Sequence, residues 1–411
     1  MPPSWNRSPL RIAALIILHS AVLGAVVQLF AMGVLGKPFT WASTLHFDAL
    51  HYQWIAEHGY VSFRQAFFPM FPAIWHLLST STAAICVLNY SLYVGGLTWL
   101  CWSLSISTKT LVVFLLLPGA VFFAIPYTES LFFLFACMTL VGIQRDSYKL
   151  LCAGLVGCTL TRPAFTTLVP AILFAIWLKQ GITWTSVYRS VAVAIASSLG
   201  LLAVLVIQHH YTGEWFGFYK AQSGWGNQLA WPTLPLGSWG GDDVVKLDAV
   251  ALLVGISAGC ACVIVVYKRI SEKVLTKDAA TIVAWCAIAS VCALTIAIRG
   301  GSLFSLNRFV FATPFALLFI HSTRNLTADR SMLKWGLLFA LLLLYFLLFG
   351  AYVHIQHFLS FMLLGGFLLL AIRSVMATTS IGSWWFRSYV AIAFSIQVYF
   401  SFKVLAGEWV A

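Results

Sequence analysis

The sequence predicts an all-α protein that crosses a membrane many times, and its composition supports this prediction in three ways. Of its 411 residues, 61% are hydrophobic and 9% are charged, whereas a soluble globular domain carries about 25% charged residues. The mean hydropathy is +0.92. Apolar runs recur along the whole chain, and a bilayer core requires about 20 apolar residues per helix. These properties exclude a soluble globular protein.

Thirteen transmembrane helices are predicted from the apolar runs and from the breaker residues that separate them. Two pairs of short spans, around Pro126 and around Arg162, could each form one kinked helix instead. The first run is too long for a signal-peptide core, so it counts as a span. The predicted spans are 10–35, 83–106, 110–125, 128–144, 150–160, 164–178, 187–208, 247–267, 279–298, 308–321, 332–350, 352–372 and 388–406.

Most of the 24 Lys and Arg residues fall in loops that are cytoplasmic if the N-terminus is cytoplasmic. Basic residues are retained on the cytoplasmic side of short loops. We therefore expect a cytoplasmic N-terminus, and we interpret the formal charge of +12 as a signal of orientation. The basic residues are dispersed, so nucleic-acid binding is not predicted.

The chain is predicted to be one domain over 1–411, because it shows no linker, repeat or low-complexity tract. Two segments on the non-cytoplasmic side, 36–82 and 209–246, are longer than connectors need to be, and long loops of this kind usually carry function. The nine cysteines lie mostly inside predicted spans and form no CxxC pair. Neither a disulfide framework nor a zinc site is predicted.

The stretch HFDALHYQWIAEHGY, residues 46–60, concentrates ionisable side chains in a chain that has few. If 46–58 form a short helix, a period of about 3.6 residues places Asp48 and Tyr52 on one stripe and leaves an apolar stripe around Trp54. An apolar stripe with an aromatic ring is typical of a helix that lies on the membrane interface. Such a helix would turn Asp48 and Tyr52 toward the spans.

Asp48 is the candidate general base of this stretch. Glu57 points about 180° away from it on the same helix, so a close pair of catalytic carboxylates is not predicted. Two other roles for Asp48 stay open: a helix N-cap, and a metal ligand together with His46 and His51. The spacing matches no strong metal motif, and we predict neither a metal nor a cofactor.

The segment AFFPMFP, residues 66–72, is predicted to be a helix interrupted by Pro69 and Pro72. Broken backbone at membrane depth is tolerated only where it is buried in protein or lines a cavity. We interpret the segment as the wall of a site for an apolar chain. The alternative is an aromatic belt at the membrane interface.

Other polar residues converge on the same side: Glu129 in IPYTES, Arg162 in TLTRP and Arg308 in SLNRF. Ionisable groups in a bilayer are costly and usually functional, and arginine offers a fork of donors to phosphate. An ion pair from Glu129 to either arginine, which only ties helices together, is the alternative. The second long segment adds GEWFGFYKAQSGWGN, with Lys220 and Trp225; aromatic rings suit sugar faces and apolar chains alike.

Taken in order, FDALHYQWIAEHGY, AFFPMFP, PYTES, LTRP and NRF resemble the PIG-V family, the GPI mannosyltransferase II type proteins and their prokaryotic relatives. The resemblance covers 46–320, and the first block is its most specific part. Phe47 stands where the family usually has tryptophan, which keeps an aromatic ring before the aspartate. The last three predicted spans carry no motif of the family.

This resemblance implies an inverting GT-C glycosyltransferase, an all-helical membrane bundle whose active site faces the lumen or periplasm. It implies transfer of mannose from a dolichyl- or polyprenyl-phosphate sugar to a lipid-linked glycan or another hydroxyl acceptor. The membrane would be that of the endoplasmic reticulum, with a GPI precursor as acceptor, in a eukaryote, and the cytoplasmic membrane in a prokaryote. Asp48 matches the family's base, and His51 is the second expected catalytic residue. The expected substrate contacts are Tyr52, Arg64, Glu129, Arg162, Lys220, Trp225 and Arg308.

Two other functions fit a chain of this composition, namely a transporter or lipid flippase and a non-catalytic scaffold subunit. Transporters favour repeated halves with polar residues near the midplane of the membrane. Here the polar residues gather at one face, which favours the enzyme. Besides donor and acceptor, the expected partners are membrane lipids and a small membrane subunit.

Overall fold

The computed structural model describes residues 8–163, 165–238, 240–273, 278–324, 330–349, 355–376 and 379–410. These residues fold into α-helices, three 3₁₀ helices and the loops that join them, and none of them forms a strand. The all-α prediction is therefore confirmed. The 3₁₀ helices are Trp41–Thr44, Ser62–Ala66 and Pro118–Phe123. The α-helices are α1 (Pro9–Leu35), α2 (Asp48–His58), α3 (Met70–Leu78), α4 (Thr82–Ser103), α5 (Thr108–Leu115), α6 (Glu129–Gln144), α7 (Tyr148–Thr161), α8 (Phe165–Gln180), α9 (Trp184–Thr212), α10 (Gly217–Gly224), α11 (Asp242–Ser271), α12 (Ala279–Ile298), α13 (Leu306–Phe311), α14 (Pro314–Thr323), α15 (Arg330–Phe349), α16 (Ile355–Val375) and α17 (Trp384–Leu405).

Six of the described helices are long and apolar enough to cross a membrane: α1, α4, α9, α11, α12 and α17. Shorter apolar helices, among them α6, α7, α8 and α14, occupy other predicted spans. Residues 350–354, where the predicted spans 332–350 and 352–372 meet, lie outside the described residues. The chain is thus an α-helical membrane protein, and the number of thirteen spans stays a prediction.

The two ambiguous pairs of spans are each divided into separate helices. Arg162, between α7 and α8, has an extended backbone with φ of −155° and ψ of 159°. The ring of the following Pro163 disfavours the helical conformation at this position. The chain between α5 and α6 contains a 3₁₀ helix and a turn at Pro126. Neither pair forms one kinked helix.

Helix α6 lies in the protein interior, because 12 of its 16 residues are buried. Helix α7 packs closely against it through two glycines. A Cβ atom on Gly154 would meet the backbone of Thr139, and one on Gly157 would meet the ring of Phe135. Small residues allow such close approach of helices in membranes. The packing therefore holds the first residue of α6, Glu129, inside the protein.

The segment 66–72 separates the 3₁₀ helix Ser62–Ala66 from α3, so the predicted break is present at Pro69 and absent at Pro72. Pro69 is the N-cap residue of α3, and Pro72 lies in the first turn of the helix. The N–H groups of a first turn have no partner within the helix, so proline costs little there. The segment also differs from an aromatic belt, because its rings are buried within the protein, at Phe67, Phe68 and Phe71.

Candidate functional site

Helix α2 directs the predicted stripe toward the helix bundle. Tyr52 is 5% exposed, whereas Leu50, on the other stripe, is 51% exposed. Asp48 is the first residue of the helix, and Phe47, with φ of 52°, is the N-cap residue. The N-cap role considered for Asp48 is therefore wrong. Its Oδ2 atom lies instead 2.7 Å from Nη1 of Arg308.

Arg308 connects Asp48 to a second carboxylate. Its Nε atom donates to Oε1 of Glu129, and the same oxygen accepts from Nη2 of Arg162 at 2.7 Å. The Glu129 side chain is fully buried and that of Arg308 is 4% exposed, while the Asp48 side chain keeps 20% exposure. Both ion pairs considered for Glu129 thus exist together. We refer to Asp48, Arg308, Glu129 and Arg162 as the ion-pair ladder.

The turn that carries Glu129 is held by a buried amide of α4. Nδ2 of Asn89 donates to the carbonyl oxygens of Ile125 and Tyr127, at 2.7 and 2.9 Å. Pro126 interrupts regular helical bonding here, and buried carbonyl groups in a membrane protein must be satisfied internally. Asn89 therefore fixes the backbone that leads into α6.

Aromatic rings surround the ion-pair ladder. The guanidinium of Arg308 lies 4.6 Å from the ring centroid of Tyr127, and that of Arg162 lies 5.6 Å from the ring centroids of Phe132 and Phe309. Cations are attracted to ring faces, more strongly where water is excluded. Apolar surroundings also strengthen the attraction between the paired charges. The ladder is consequently held rigidly at a defined place.

Tyr52 connects α2 to the turn before α6. Its hydroxyl lies 3.3 Å from Oγ1 of Thr128, the neighbour of Glu129 in sequence. Its ring packs edge-to-face against Phe67 and Phe71. Burial raises the pKa of Tyr52 above its ordinary value, and the charge of Asp48 raises it further. Tyr52 therefore remains a neutral hydroxyl that anchors the helix bearing Asp48.

His51 contacts Arg64 and a group of aromatic side chains. Its Nδ1 atom accepts a hydrogen bond from Nε of Arg64 at 3.3 Å, which assigns the ring hydrogen to Nε2. The ring stacks on Phe67 at 4.8 Å and meets Trp225 edge-on at 5.4 Å. Burial lowers the pKa of His51; Asp48 partly opposes this effect and Arg64 adds to it. The imidazole is therefore neutral at pH 7.

The two long segments of the chain meet beside His51. Trp225 stacks on Phe63 at 4.6 Å, and its Nε1 atom donates to the Phe63 carbonyl oxygen at 3.3 Å. We call these two exposed rings the aromatic shelf. Lys220 lies apart from the ladder: its Nζ atom pairs with Oε2 of Glu214 at 3.3 Å, and its side chain is 67% exposed. The structure thus joins Trp225 to the site through His51 and leaves Lys220 at its outer edge.

Asp248 was not predicted as part of the site, although it is fully buried beside it. Its Oδ1 atom accepts from both the backbone N and Nδ2 of Asn307 at 2.8 Å, and its Oδ2 atom accepts from Oγ of Ser238 at 2.7 Å. Asn307 directly precedes Arg308, so Asp248 fixes the backbone that carries the ladder arginine. The sequence signal that could have indicated Asp248 is its position inside the apolar run of α11, because ionisable residues in a membrane helix usually have a function.

Arg299, directly after α12, was also missed. Its Nε atom donates to Oδ1 of Asn227 at 2.7 Å, and its Nη1 atom donates to the carbonyl oxygen of Phe304. Its guanidinium lies 5.7 Å from the ring centroid of Phe309, the same ring that Arg162 approaches. Arg299 therefore belongs to the surroundings of the ladder. A sequence separation of 72 residues from Asn227 left no local pattern to indicate this.

The arrangement combines one partly exposed carboxylate with buried guanidinium groups and an exposed aromatic surface, which together can take up a proton and bind an anion. Among the described residues, no three His, Cys, Asp or Glu side chains are grouped as a metal ion would require. All nine cysteines are free thiols. Neither protein-family models nor curated proteins match this chain.

Proposed function

We propose that this protein is an inverting membrane glycosyltransferase of the GT-C type. By its resemblance to the PIG-V family, it moves mannose from a dolichyl- or polyprenyl-phosphate sugar to a hydroxyl of a lipid-linked glycan, on the lumenal or periplasmic side. One observation carries the proposal: a partly exposed carboxylate, Asp48, lies 2.7 Å from a buried guanidinium, Arg308.

The exposure of the two carboxylates supports one base acting alone. Inverting transfer requires a carboxylate that takes a proton and positive groups that stabilise the departing phosphate. Glu129 has no exposed side-chain surface, so a substrate cannot reach it, whereas Asp48 keeps 20% exposure. In this proposal Glu129 holds Arg162 and Arg308 in place, and Asp48 meets the acceptor.

In the proposed step, the proton and the electron pair move only between the acceptor, the donor and Asp48. The acceptor oxygen attacks the anomeric carbon while its proton passes to Asp48. The bond between the anomeric carbon and the phosphate oxygen breaks, and the phosphate keeps the electron pair. The products are the glycoside and the lipid monophosphate, and Asp48 returns its proton to solvent. Guanidinium groups stabilise the negative charge that develops on the phosphate.

The aromatic shelf supports a sugar substrate. Phe63 and Trp225 are 49% and 36% exposed, respectively, although both are apolar rings. Rings of this kind pack against the faces of sugars and against lipid chains. His51 lies three residues from Asp48 and contacts both rings. A sugar on the shelf would therefore lie beside the base.

The proposal is tested with protein purified in lipid nanodiscs and incubated with polyprenyl-phosphate-[3H]mannose and a lipid-linked glycan acceptor. We expect wild type to form a labelled product of inverted anomeric configuration, and Asp48→Asn to form it far more slowly. Glu57→Gln is the matched control, because Glu57 is an exposed acid on the same helix. We expect this variant to keep wild-type activity.

Equal labelling by wild type and Asp48→Asn would remove Asp48 from its proposed role. A product of retained configuration would overturn the inverting mechanism. Movement of the donor lipid across the membrane without any transfer would identify a transporter or flippase instead.

A further inference from the structure

Two arginines belong to the ion-pair ladder and a third, Arg299, lies beside it, and the charges of the three are compensated differently. Arg162 and Arg308 each contact a carboxylate directly. Among the described residues, no carboxylate lies within ion-pair distance of Arg299, whose hydrogen-bond partners, Asn227 and the Phe304 carbonyl, are neutral. Of these three arginines, Arg299 is thus the one that has no carboxylate partner among the described residues.

The nearest buried acid does not fill this place. Asp248 is close enough to raise the pKa of Arg299, but its two oxygens accept hydrogen bonds from Asn307 and Ser238. Burial is the stronger effect and lowers the pKa of Arg299 to about 10, so its guanidinium is still charged at neutral pH. A desolvated cation without a direct anionic partner is costly. A bound anion would relieve that cost.

Arg299 also has N–H groups that could donate to a ligand. A guanidinium carries five N–H groups, and two of those of Arg299 are used by Asn227 and Phe304. The residue is partly exposed, so an anion can approach it from outside. Planar forks of this kind bind phosphate oxygens in pairs.

The position of Arg299 relates it to the proposed reaction. Arg162 and Arg299 both approach the ring of Phe309, at 5.6 and 5.7 Å. The charges of Asp48 and Arg308 both influence the pKa of Arg299. An anion on Arg299 would therefore lie near the base without displacing Glu129 from its arginines.

We infer that Arg299 binds the phosphate of the polyprenyl-phosphate sugar donor, which is a diester in the donor and a monoester in the lipid phosphate that departs. This inference rests on the proposed function and gives it a specific anion site. Arg308 and Arg162 then maintain the ladder, and Arg299 contacts the phosphate that departs with the lipid.

The test measures binding rather than turnover. Nanodisc-embedded protein is titrated with [32P]polyprenyl phosphate, with unphosphorylated polyprenol and with inorganic [32P]phosphate. We expect Arg299→Gln to weaken polyprenyl phosphate binding by about 10- to 150-fold, the range for losing a hydrogen bond to a charged group. Arg145→Gln is the control, because no carboxylate among the described residues pairs with Arg145, whose Nη2 atom donates to Oγ of Ser103. Arg145 directly follows α6, about 24 Å from Glu129 at 1.5 Å per residue.

A second measurement uses the unaltered protein, in case Arg299→Gln fails to fold. Polyprenyl phosphate, but not polyprenol, should protect Arg299 from modification by phenylglyoxal, as followed by peptide mass spectrometry. Unchanged modification of Arg299, or wild-type affinity of Arg299→Gln, would overturn the inference. If inorganic phosphate binds as tightly as polyprenyl phosphate, the site binds free phosphate, and its assignment to the lipid donor is wrong.

Different experimental results would contradict the phosphate site at Arg299 and the proposed transfer reaction. If Asp48→Asn loses transfer while Arg299→Gln keeps donor affinity, the function stands and the phosphate contact falls. If Asp48→Asn transfers like wild type while Arg299→Gln loses polyprenyl phosphate, the lipid phosphate site stands and the catalytic proposal falls.

Discussion

Arg308 forms ion pairs with two carboxylates from distant parts of the chain. Its Nη1 atom lies 2.7 Å from Oδ2 of Asp48, and its Nε atom contacts Oε1 of Glu129. One planar guanidinium thereby joins α2, α6 and α13. A lysine ammonium is a compact point charge that cannot reproduce this fork.

Arg308→Gln is expected to destabilise the fold strongly, because it leaves Glu129 buried with one cationic partner. Removing one member of a buried ion pair costs about 3–5 kcal/mol. Reversible unfolding in mixed detergent micelles measures this change in the free energy of unfolding. The control is Arg189→Gln, which removes a pair with the half-exposed Asp146 and should cost at most about 1 kcal/mol. Similar losses in both variants would show that the buried pairing of Arg308 with Glu129 does not stabilise the fold.

Glu129 and Arg162 are expected to be energetically coupled, because Oε1 of Glu129 lies 2.7 Å from Nη2 of Arg162. Glu129→Gln, Arg162→Gln and the double variant form a thermodynamic cycle. Residues in direct contact show coupling of about 0.5–3 kcal/mol. If the two single effects add to within about 0.5 kcal/mol, the contact does not contribute as the structure indicates.

Asp248→Asn is expected to slow transfer by disturbing the backbone that carries Arg308. The asparagine amide would turn an N–H toward donors of Asn307 or Ser238, and an unsatisfied buried group costs about 1–3 kcal/mol. Because Asp248 acts through Asn307, we expect kcat to fall more than donor affinity. Steady-state kinetics separate the two quantities, with Asp243→Asn, an exposed acid on the same helix, as the control. A fall in stability with no change in kcat would limit Asp248 to a structural role.

His51 is expected to make stability fall as the pH falls. Burial lowers its pKa in the folded protein below the ordinary value of 6.5. Well above pH 6.5 His51 is neutral in both the folded and the unfolded state. As the pH falls through 6.5 the unfolded chain takes up the proton first, so unfolding is favoured. The midpoint of thermal unfolding, measured between about pH 7.5 and 5.5 around the usual histidine range, should fall less in His51→Asn than in wild type. His58→Asn, at an exposed histidine of the same helix, should behave like wild type.

Much of the site followed from chemistry that is local in sequence. The period of α2 placed Asp48 and Tyr52 on the inner face. The rarity of charge in apolar runs singled out Glu129, Arg162 and Arg308, because buried charges need partners. The structure brings these residues together as direct contacts.

The features that were not predicted from the sequence depend on partners far apart in the chain or on the position of a residue within a helical turn. Asn307 binds an acid 59 residues away, and Asn227 binds an arginine 72 residues away; neither relationship leaves a periodic pattern. Pro72 was misread because proline breaks a helix interior but is tolerated in a first turn. Lys220 was predicted to belong to the site because of its aromatic neighbours in sequence, yet its ammonium group pairs with the carboxylate of Glu214.

If Asp48 removes the acceptor proton, its loss slows the chemical step itself, which single-turnover kinetics measure. With donor prebound at saturation, transfer is started by adding acceptor to wild type, Asp48→Asn and Glu57→Gln. Loss of a general base lowers the rate by about 10²- to 10⁴-fold, so we expect that loss in Asp48→Asn alone, with donor affinity retained. Transfer by Asp48→Asn within about twofold of wild type, far less than that loss, would show that Asp48 is not the base.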